Sequence, residues 1–355
     1  MEKIQGQLTS PREVVRFGKV YGRSVIRFFA FLTCIGILTA AFAMSGVWFN
    51  RENLLGIPEK DPPATNENNS GSKLPSENGD HDQIPEQNPA IPEGAISVLS
   101  LDLSYQTNQL PILQNETSYR LNFDEIKSKQ SITEKTDDGP LVLILHTHAS
   151  EAYLPPQASY LIGNIGEKIY SNDQNRSVIA VGKALCDILN QNGISTVQCA
   201  DQHGKNGTLR NSYEGSAECI EKYLQEYPSI QYVIDLHRDG ILGENGELVR
   251  TATNHEGNAY GQIMAVVGTD GNGTECPGWQ TNLSLAIRLN EGLARRVENL
   301  CRPISLRNAS YNQELAPNAL LLEIGSAGNT QEEAIRSAVL VGEVLSELIK
   351  ADLSE

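Results

Sequence analysis

Two histidines and a glutamate follow one short run of apolar residues, and all three are of types that bind metal ions. The run from Leu141 to Leu145 is LVLIL, and His146, His148 and Glu151 come directly after it. Consecutive aliphatic residues between Gly-Pro and a polar stretch predict a strand that is buried on both faces. Imidazole and carboxylate groups are the usual ligands of a catalytic zinc ion, which takes three protein ligands and keeps one position open.

Two further apolar segments end in residues of the same types. The segment 232–239 is YVIDLHRD and contains His237, and the segment 319–325 is ALLLEIG and contains Glu323. In open α/β sheets, ligands bind at the carboxyl ends of the strands. The sequence therefore predicts three strands that bring these side chains to one crevice.

The spacing suggests a role for each residue. His148 and Glu151 form an H-x-x-E pair, and His237 completes a set of three zinc ligands. Glu323 then remains as the catalytic base that takes a proton from a bound water. Because residues two apart on a strand share a face, His146 is an alternative ligand or a residue that supports one. The sequence leaves the choice between His146 and His148 open.

Three residues are candidates for contacts with the substrate. Arg238 is suited to hold a substrate carboxylate, although a surface ion pair is an equal alternative. Tyr153 and Asn329 are the other two candidates. The segments 153–173 and 240–260 are predicted to be loops that wall a groove for a glycan with its peptide.

Four other polar residues have weaker assignments. His203 and His255 lie in glycine-rich loops and are expected to be solvated. Asp235 and Asp239 flank His237, and their positions are equally consistent with a supporting role and with a turn.

Strands and helices alternate from Pro140 onward, which predicts an α/β fold with a central twisted sheet and flanking helices. We expect a small adjunct over 95–139 and a catalytic domain over 140–355. A capping box of the T-x-x-E type at Thr330 predicts the start of the last helix. The helix candidates are 175–191, 213–227, 282–300 and 331–350, and the strand candidates between them are 193–198, 230–236, 262–268, 302–306 and 318–325.

The N-terminal part has a different character. Residues 28–50 contain no charged side chain and are long enough for one transmembrane helix. Cations outnumber anions over 1–27, so this segment is expected in the cytoplasm and the rest of the chain outside. A cleaved signal peptide is the alternative. Residues 51–94 are rich in Pro, Asn, Glu and Ser, which predicts a disordered linker.

Charge and cysteine content exclude two classes of protein. A formal net charge of −16 argues against nucleic acid as the main partner. The chain has six cysteines and no CxxC pair, and one cysteine lies within the predicted transmembrane helix. A disulfide scaffold is therefore not expected, and the sequence does not decide which cysteines pair.

Several motifs resemble the stage II sporulation protein P family of endospore-forming Gram-positive bacteria. They are NETSY at 115–119, HTHASEAY at 146–153, DLHRDG at 235–240 and RNASYNQELAPNALLLEIGSAGNTQEEA at 307–334. The resemblance covers the chain from about Ala95 onward. It implies a fold similar to that of zinc-dependent N-acetylmuramoyl-L-alanine amidases and zinc carboxypeptidases. Those amidases usually supply a ligand glutamate at the start of the first helix, where this chain has DQNRSVIAV, so the resemblance transfers that role to Glu151.

The resemblance also implies an activity and partners. It implies a membrane-anchored enzyme that binds Zn²⁺ and cleaves peptidoglycan as an amidase and as an endopeptidase. Its role would be septal wall thinning and engulfment, together with stage II sporulation proteins D and M. Two alternatives remain at the level of the sequence: a catalytically silent peptidoglycan-binding scaffold, and a zinc carboxypeptidase in which Arg238 clamps the terminal carboxylate.

Overall fold

A computed structural model describes residues 92–104, 112–129, 139–156, 158–203 and 211–353. The predicted cytoplasmic segment 1–27, the predicted transmembrane helix 28–50 and nearly all of the predicted linker lie outside these ranges. Within the described ranges, no helix is long and apolar enough to cross a membrane.

The described residues form two sheets. The larger sheet has seven strands in the order β2-β10-β9-β11-β6-β3-β5, and the smaller has four in the order β4-β1-β7-β8, with these bounds: β1 (Ile96–Leu101), β2 (Leu113–Asn115), β3 (Val142–Leu145), β4 (Tyr160–Leu161), β5 (Thr196–Gln198), β6 (Tyr232–Asp239), β7 (Leu248–His255), β8 (Asn258–Gly261), β9 (Ile263–Gly268), β10 (Ile304–Arg307) and β11 (Ala319–Ser326).

The strands that carry the candidate site run parallel in the centre of the larger sheet. β3 pairs with β6, and β6 pairs with β11, each in parallel, whereas β11 meets β9 antiparallel. Every side chain of β3 is fully buried, as expected for a strand covered on both faces. The predicted convergence of three carboxyl strand ends is therefore confirmed.

Six α-helices within the described ranges flank the sheets: α1 (Phe123–Lys127), α2 (Ile165–Ile169), α3 (Val178–Gln191), α4 (Ser212–Glu226), α5 (Trp279–Ala294) and α6 (Gln331–Asp352). Val142 and Ile144 share an apolar cluster with α3, α5 and α6, while Leu143 and Leu145 share another with α4. Because successive strand residues point to opposite faces, the larger sheet is covered on both sides. The predicted α/β class with a central sheet and flanking helices is confirmed.

The last helix begins where its capping residues predict. The Thr330 side chain accepts a hydrogen bond from the Glu333 backbone, and the Glu333 side chain accepts one from the Thr330 backbone. Two backbone N–H groups that the first turn leaves free are satisfied in this way, so the predicted capping box is confirmed.

The described residues of the predicted adjunct 95–139 contribute to both sheets. β1 pairs with β7 in the smaller sheet and β2 pairs with β10 in the larger one, and the domain division at 139/140 stays a prediction. The segment 240–260, predicted as a loop, contains β7 and most of β8, which form an antiparallel hairpin. The residues of β7 and β8 are only partly apolar, and β7 is also paired with β1, which lies far earlier in the sequence, so the local pattern was weak.

One disulfide is present among the described cysteines. It joins Cys199, which follows β5, to Cys219 in α4, while Cys186, Cys276 and Cys301 are free. The bond ties α4 to the edge of the larger sheet.

Candidate metal centre

The turn after β3 carries His148 and Glu151, and β6 carries His237. The Glu151 N–H donates to the His148 carbonyl at 3.0 Å, so the chain reverses at this point. In the parallel pairing of the two strands, Leu145 lies opposite Asp235, two residues before His237. The turn residues are thereby brought next to His237, as the H-x-x-E spacing with a distant histidine predicted.

The three side chains are close enough to share one ion. Their candidate ligand atoms lie within 4.8 Å of one another. His148 Nδ1 is 3.3 Å from Glu151 Oε1, and His237 Nδ1 is 3.5 Å from Glu151 Oε2. Ligand atoms at ~2.1 Å from a tetrahedral zinc ion are themselves roughly 3.4 Å apart. The arrangement therefore fits a zinc ion, and it also fits a hydrogen-bonded network of one glutamate between two histidines.

Electrostatics in the group favour a bound cation. Burial alone would raise the pKa of Glu151, but hydrogen bonds and charge from His148 and His237 outweigh it and hold the pKa well below its usual value. Burial alone would lower the pKa of His237, but the Asp235 and Glu151 carboxylates outweigh it and hold this pKa well above its usual value. A metal ion can replace a proton on such an imidazole.

Asp235 supports His237 from the ring nitrogen that faces away from Glu151. Its Oδ1 lies 3.0 Å from His237 Nε2, yet the orientation is not that of a hydrogen bond, and this nitrogen is buried without a hydrogen-bond partner. Thr147 holds the carboxylate through its N–H at 2.9 Å and its hydroxyl at 2.7 Å. The charge of the carboxylate beside Nε2 favours a ring orientation that leaves Nδ1 for a metal ion. Of the two roles open for Asp235, the geometry favours the supporting one.

Glu323 stands beside this group. It is the residue opposite His237 in the pairing of β11 with β6. Its Oε2 is buried and has no hydrogen-bond partner among the described residues. Burial raises the pKa of Glu323 to about 8, and the charges of Asp239 and Glu151 add to the rise against those of His237 and Arg302. A carboxyl group with a pKa near neutrality can both take and return a proton.

His146 is not part of the group, which corrects its prediction as an alternative ligand. β3 ends at Leu145 and the following residues turn, so the two-residue alternation that was to place His146 and His148 on one face does not continue. His146 Nδ1 lies 2.9 Å from the Leu236 carbonyl, and Nε2 lies 2.9 Å from the Gln198 amide nitrogen. Complete burial lowers its pKa to about 4. Its supporting role, through the residue before His237, stays a prediction.

Arg238 is engaged in the interior, which corrects its prediction as a substrate clamp. The residue is 2% exposed. Its guanidinium donates to the carbonyls of Ala152 at 2.9 Å, Ile169 at 2.6 Å and Asp239 at 3.2 Å. These bonds attach the segment after the His148 turn to β6, so Arg238 shapes the site without facing it.

Tyr153 and Asn329 are also buried and have protein partners. The Tyr153 hydroxyl donates to the Ile324 carbonyl at 2.9 Å. The Asn329 side-chain oxygen accepts from the N–H groups of Thr251 at 3.0 Å and Ser326 at 2.8 Å. Because both side chains are buried, neither is placed to contact a substrate. Their burial results from tertiary contacts that their sequence positions do not reveal.

Two tyrosines that the sequence analysis missed stand next to the group. The Tyr213 ring lies edge-on to His148 with 5.6 Å between centroids, and the Tyr311 ring lies 6.0 Å from Tyr213. Tyr311 falls inside one of the motifs that carry the family resemblance, which was the one available signal. Tyr213 is the second residue of α4 and has no recognisable spacing to the ligands.

The two histidines expected to be solvated lie outside the group. His203 forms a second set of possible ligands with Cys199 and Cys219. The two sulfurs are bonded to each other, so they are not free to bind a metal ion. His203 is half-buried, and its Nε2 atom is buried without a hydrogen-bond partner among the described residues, whereas a solvated side chain was expected. His255 ends β7 and contacts Tyr260, with 6.4 Å between ring centroids.

Comparison with known proteins identifies a family. The family model of stage II sporulation protein P (SpoIIP) matches residues 59–346. Stage II sporulation protein P of Bacillus subtilis (strain 168) is 27% identical over 252 residues, which are 66% of this chain and 59% of that protein. The chain thus matches about three fifths of the length of this curated relative.

Solved structures show only a loose similarity. The amidase AmiC2 of Nostoc punctiforme has a TM-score of 0.37 at 12% identity, covering 60% of this chain and 98% of its own. The CwlD amidase of Clostridioides difficile, solved with the GerS lipoprotein, has a TM-score of 0.37 at 15% identity with the same coverage. Scores at this level do not establish a shared fold or activity.

Proposed function

The chain belongs to the stage II sporulation protein P family, as its motifs predicted, and on this premise we propose that it is a zinc-dependent peptidoglycan hydrolase. Its proposed reaction is cleavage of the amide bond between muramic acid and L-alanine, with endopeptidase cleavage of peptide cross-links as a second activity. The observation that carries the proposal is the group of His148, Glu151 and His237 with Glu323 directly opposite His237.

His148, Glu151 and His237 would hold the zinc ion. Their donor set is that of catalytic zinc sites with three protein ligands. The His148 side chain is 23% exposed, against 3% for His237, so the group opens to solvent on the His148 side. When bound, zinc lowers the pKa of a water molecule and polarises the carbonyl under attack.

Glu323 moves the proton. Its unpartnered Oε2 accepts a proton from the attacking water and then delivers it to the nitrogen that leaves with the stem peptide. The pKa of Glu323 near 8 suits the step in which it gives the proton to the leaving nitrogen. A zinc ion bound nearby would favour the ionised carboxylate, which the first proton transfer needs. Asp235 keeps the His237 ring oriented throughout.

The two alternatives fit the geometry less well. A carboxypeptidase needs a cation that reaches the terminal carboxylate, whereas the Arg238 guanidinium donates to three backbone carbonyls in the interior. A silent binding scaffold needs no proton acceptor. In such a protein the buried Glu323 carboxyl, whose Oε2 has no hydrogen-bond partner, would destabilise the fold without serving a function.

Membrane anchoring and partners are part of the proposal. We infer that residues 28–50 form a single transmembrane helix with the N-terminus in the cytoplasm, and that the linker lets the hydrolase reach the septal wall. Stage II sporulation proteins D and M are the proposed partners in engulfment. The chain should stay in the membrane fraction after a high-salt wash, and external protease should remove the domain. A soluble form that begins near Ser45 would contradict the anchor.

Product analysis tests the reaction. The full chain in detergent, loaded with zinc, is incubated with purified peptidoglycan, and the products are identified by mass spectrometry. We expect intact free stem peptides, and a chelator should abolish their release. Single released residues would indicate a carboxypeptidase, and no product would indicate a binding scaffold. Either result would refute the amidase proposal.

A further inference from the structure

Two consecutive residues beside the candidate metal centre have a left-handed backbone. Tyr311 has φ 54° and Asn312 has φ 59°. Asparagine tolerates this region, but a bulky residue such as tyrosine adopts it rarely. Strained residues of this kind persist where the surrounding structure enforces them, and they cluster at functional sites.

The neighbouring side chains fix this turn. The Asn312 amide donates to the Tyr213 carbonyl at 2.8 Å and to the Ser216 hydroxyl at 3.0 Å. The next residue, Gln313, donates to the Val266 carbonyl at 2.9 Å. These bonds involve the residues after Tyr311 and do not involve its side chain. The turn therefore forms without needing a tyrosine at this position.

The Tyr311 ring extends a row of rings that starts at the metal centre. His148 contacts Tyr213 with 5.6 Å between centroids at an interplanar angle of 79°, and Tyr213 contacts Tyr311 with 6.0 Å at 53°. Both tyrosines are half-buried. Among the described residues, neither phenol hydroxyl has a hydrogen-bond partner, so the two rings are held in place by packing.

We propose that Tyr213 and Tyr311 form the wall of the substrate site and that the Tyr311 ring binds the substrate, an N-acylated amino sugar that carries a peptide. The apolar face of the sugar and the methyl groups next to the scissile amide can pack on an aromatic ring. The inference rests on the proposed function for the identity of the substrate. It explains why the strained tyrosine is present although the turn does not require it.

Binding and cleavage measured separately test this proposal. Binding of a soluble disaccharide–tetrapeptide is titrated by calorimetry with the zinc-loaded full chain carrying Glu323→Gln, which should bind the compound with little turnover. KM and kcat are measured on the same compound with Glu323 intact. Tyr311→Asn removes the ring and relieves the backbone, so we expect about tenfold weaker binding and a raised KM. The kcat and the zinc content should stay close to those of the wild type.

Thermal unfolding separates this role from a structural one. Tyr311→Asn should unfold at the same temperature as the wild type or a few degrees higher, because asparagine suits the left-handed backbone. Glu256→Asn is the matched control, since Glu256 is exposed, has φ 49° and lies in the β7–β8 hairpin. It should change stability in the same direction and leave binding unchanged. Tyr311→Phe should bind within about threefold of the wild type because it keeps the ring.

Three results would overturn the proposal. They are wild-type affinity in Tyr311→Asn, loss of folding or zinc in that variant, and a Tyr311→Phe variant as weak as Tyr311→Asn. If the wild type binds the compound without cleaving it, the proposed function fails, while the affinities of the variants still decide the role of Tyr311.

Discussion

Glu323 lies directly opposite His237 in the parallel pairing of β11 with β6. Paired residues on neighbouring strands project from the same face of a sheet, so a candidate zinc ligand and a candidate proton acceptor leave one surface side by side. Both strands are central in the sheet and buried. The distance between the His237 and Glu323 side chains is therefore less variable than a distance set by loops.

Replacement of Glu323 by glutamine tests the proton transfer. Glu323→Gln keeps the shape of the side chain but cannot accept a proton, so the rate of amide cleavage should fall by about 10²- to 10⁴-fold. Zinc content and binding of wall fragments should be retained. Glu332→Gln, at an exposed position of α6, is the control and should keep full activity. Equal rates in both variants would remove Glu323 from the mechanism.

The same substitution has a pH-dependent effect on stability in the metal-free chain. The pKa of Glu323 is raised from 4.5 to about 8, so between these values the folded chain keeps a proton that the unfolded chain has released. The free energy of unfolding therefore falls as pH rises through this window, by at most ~1.4 kcal/mol per pH unit from this group. Glu323→Gln lacks this contribution.

Urea unfolding of the two chelator-treated proteins checks this effect. Relative to Glu323→Gln, the wild type should lose stability steadily between about pH 5 and pH 8. Groups that titrate equally in both proteins cancel in the difference. A stability difference that is independent of pH would show that the pKa of Glu323 is not raised in the folded chain.

Removal of the carboxylate behind His237 should weaken metal binding without abolishing it. Asp235→Asn leaves an amide oxygen that can still accept from the Thr147 N–H, but it removes the charge next to His237 Nε2. Loss of such a partner typically lowers metal affinity by about 10- to 100-fold. Zinc competition with a chromophoric chelator measures this change. Asp187→Asn, at an exposed ion pair with Lys183, should retain wild-type affinity.

The packing of His146 gives a prediction for folding. A Cβ atom added at Gly182 of α3 would lie 2.4 Å from His146 Cε1, so Gly182→Ala should destabilise the fold by roughly 1–3 kcal/mol despite the higher helix propensity of alanine. In a His146→Ala background only the contact of 2.9 Å with Gln198 Nε2 is left, and the cost should be smaller. Additive effects in this double-mutant cycle would refute the contact.

The sequence predicted the parts of the site that depend on local pattern. Continuous apolar runs identified β3, β6 and β11, and parallel strand order brought their carboxyl ends together. The H-x-x-E spacing predicted the proximity of His148 and Glu151, because three residues suffice to turn the chain after a strand ends. The predicted N-terminal ends of α3 and α5 lie within a few residues of the observed ones.

The sequence could not predict properties that arise from tertiary contacts. Arg238, Tyr153 and Asn329 have the types of substrate-binding residues, yet each is buried with backbone partners that lie far away in the chain. The orientation of His146 depended on where β3 ends, and a strand boundary is the least certain feature of a sequence pattern. The β7–β8 hairpin belongs to a sheet in which β7 also pairs with β1, a strand that lies far earlier in the sequence.

Zinc titration of the metal-depleted full chain tests the central claim most directly. The wild type should bind about one zinc ion tightly, and His148→Ala and His237→Ala should each lose this binding. His203→Ala, outside the group and beside the Cys199–Cys219 disulfide, should bind as the wild type does. A wild-type chain that takes up no zinc, or a His237→Ala variant that binds it with undiminished affinity, would contradict the account.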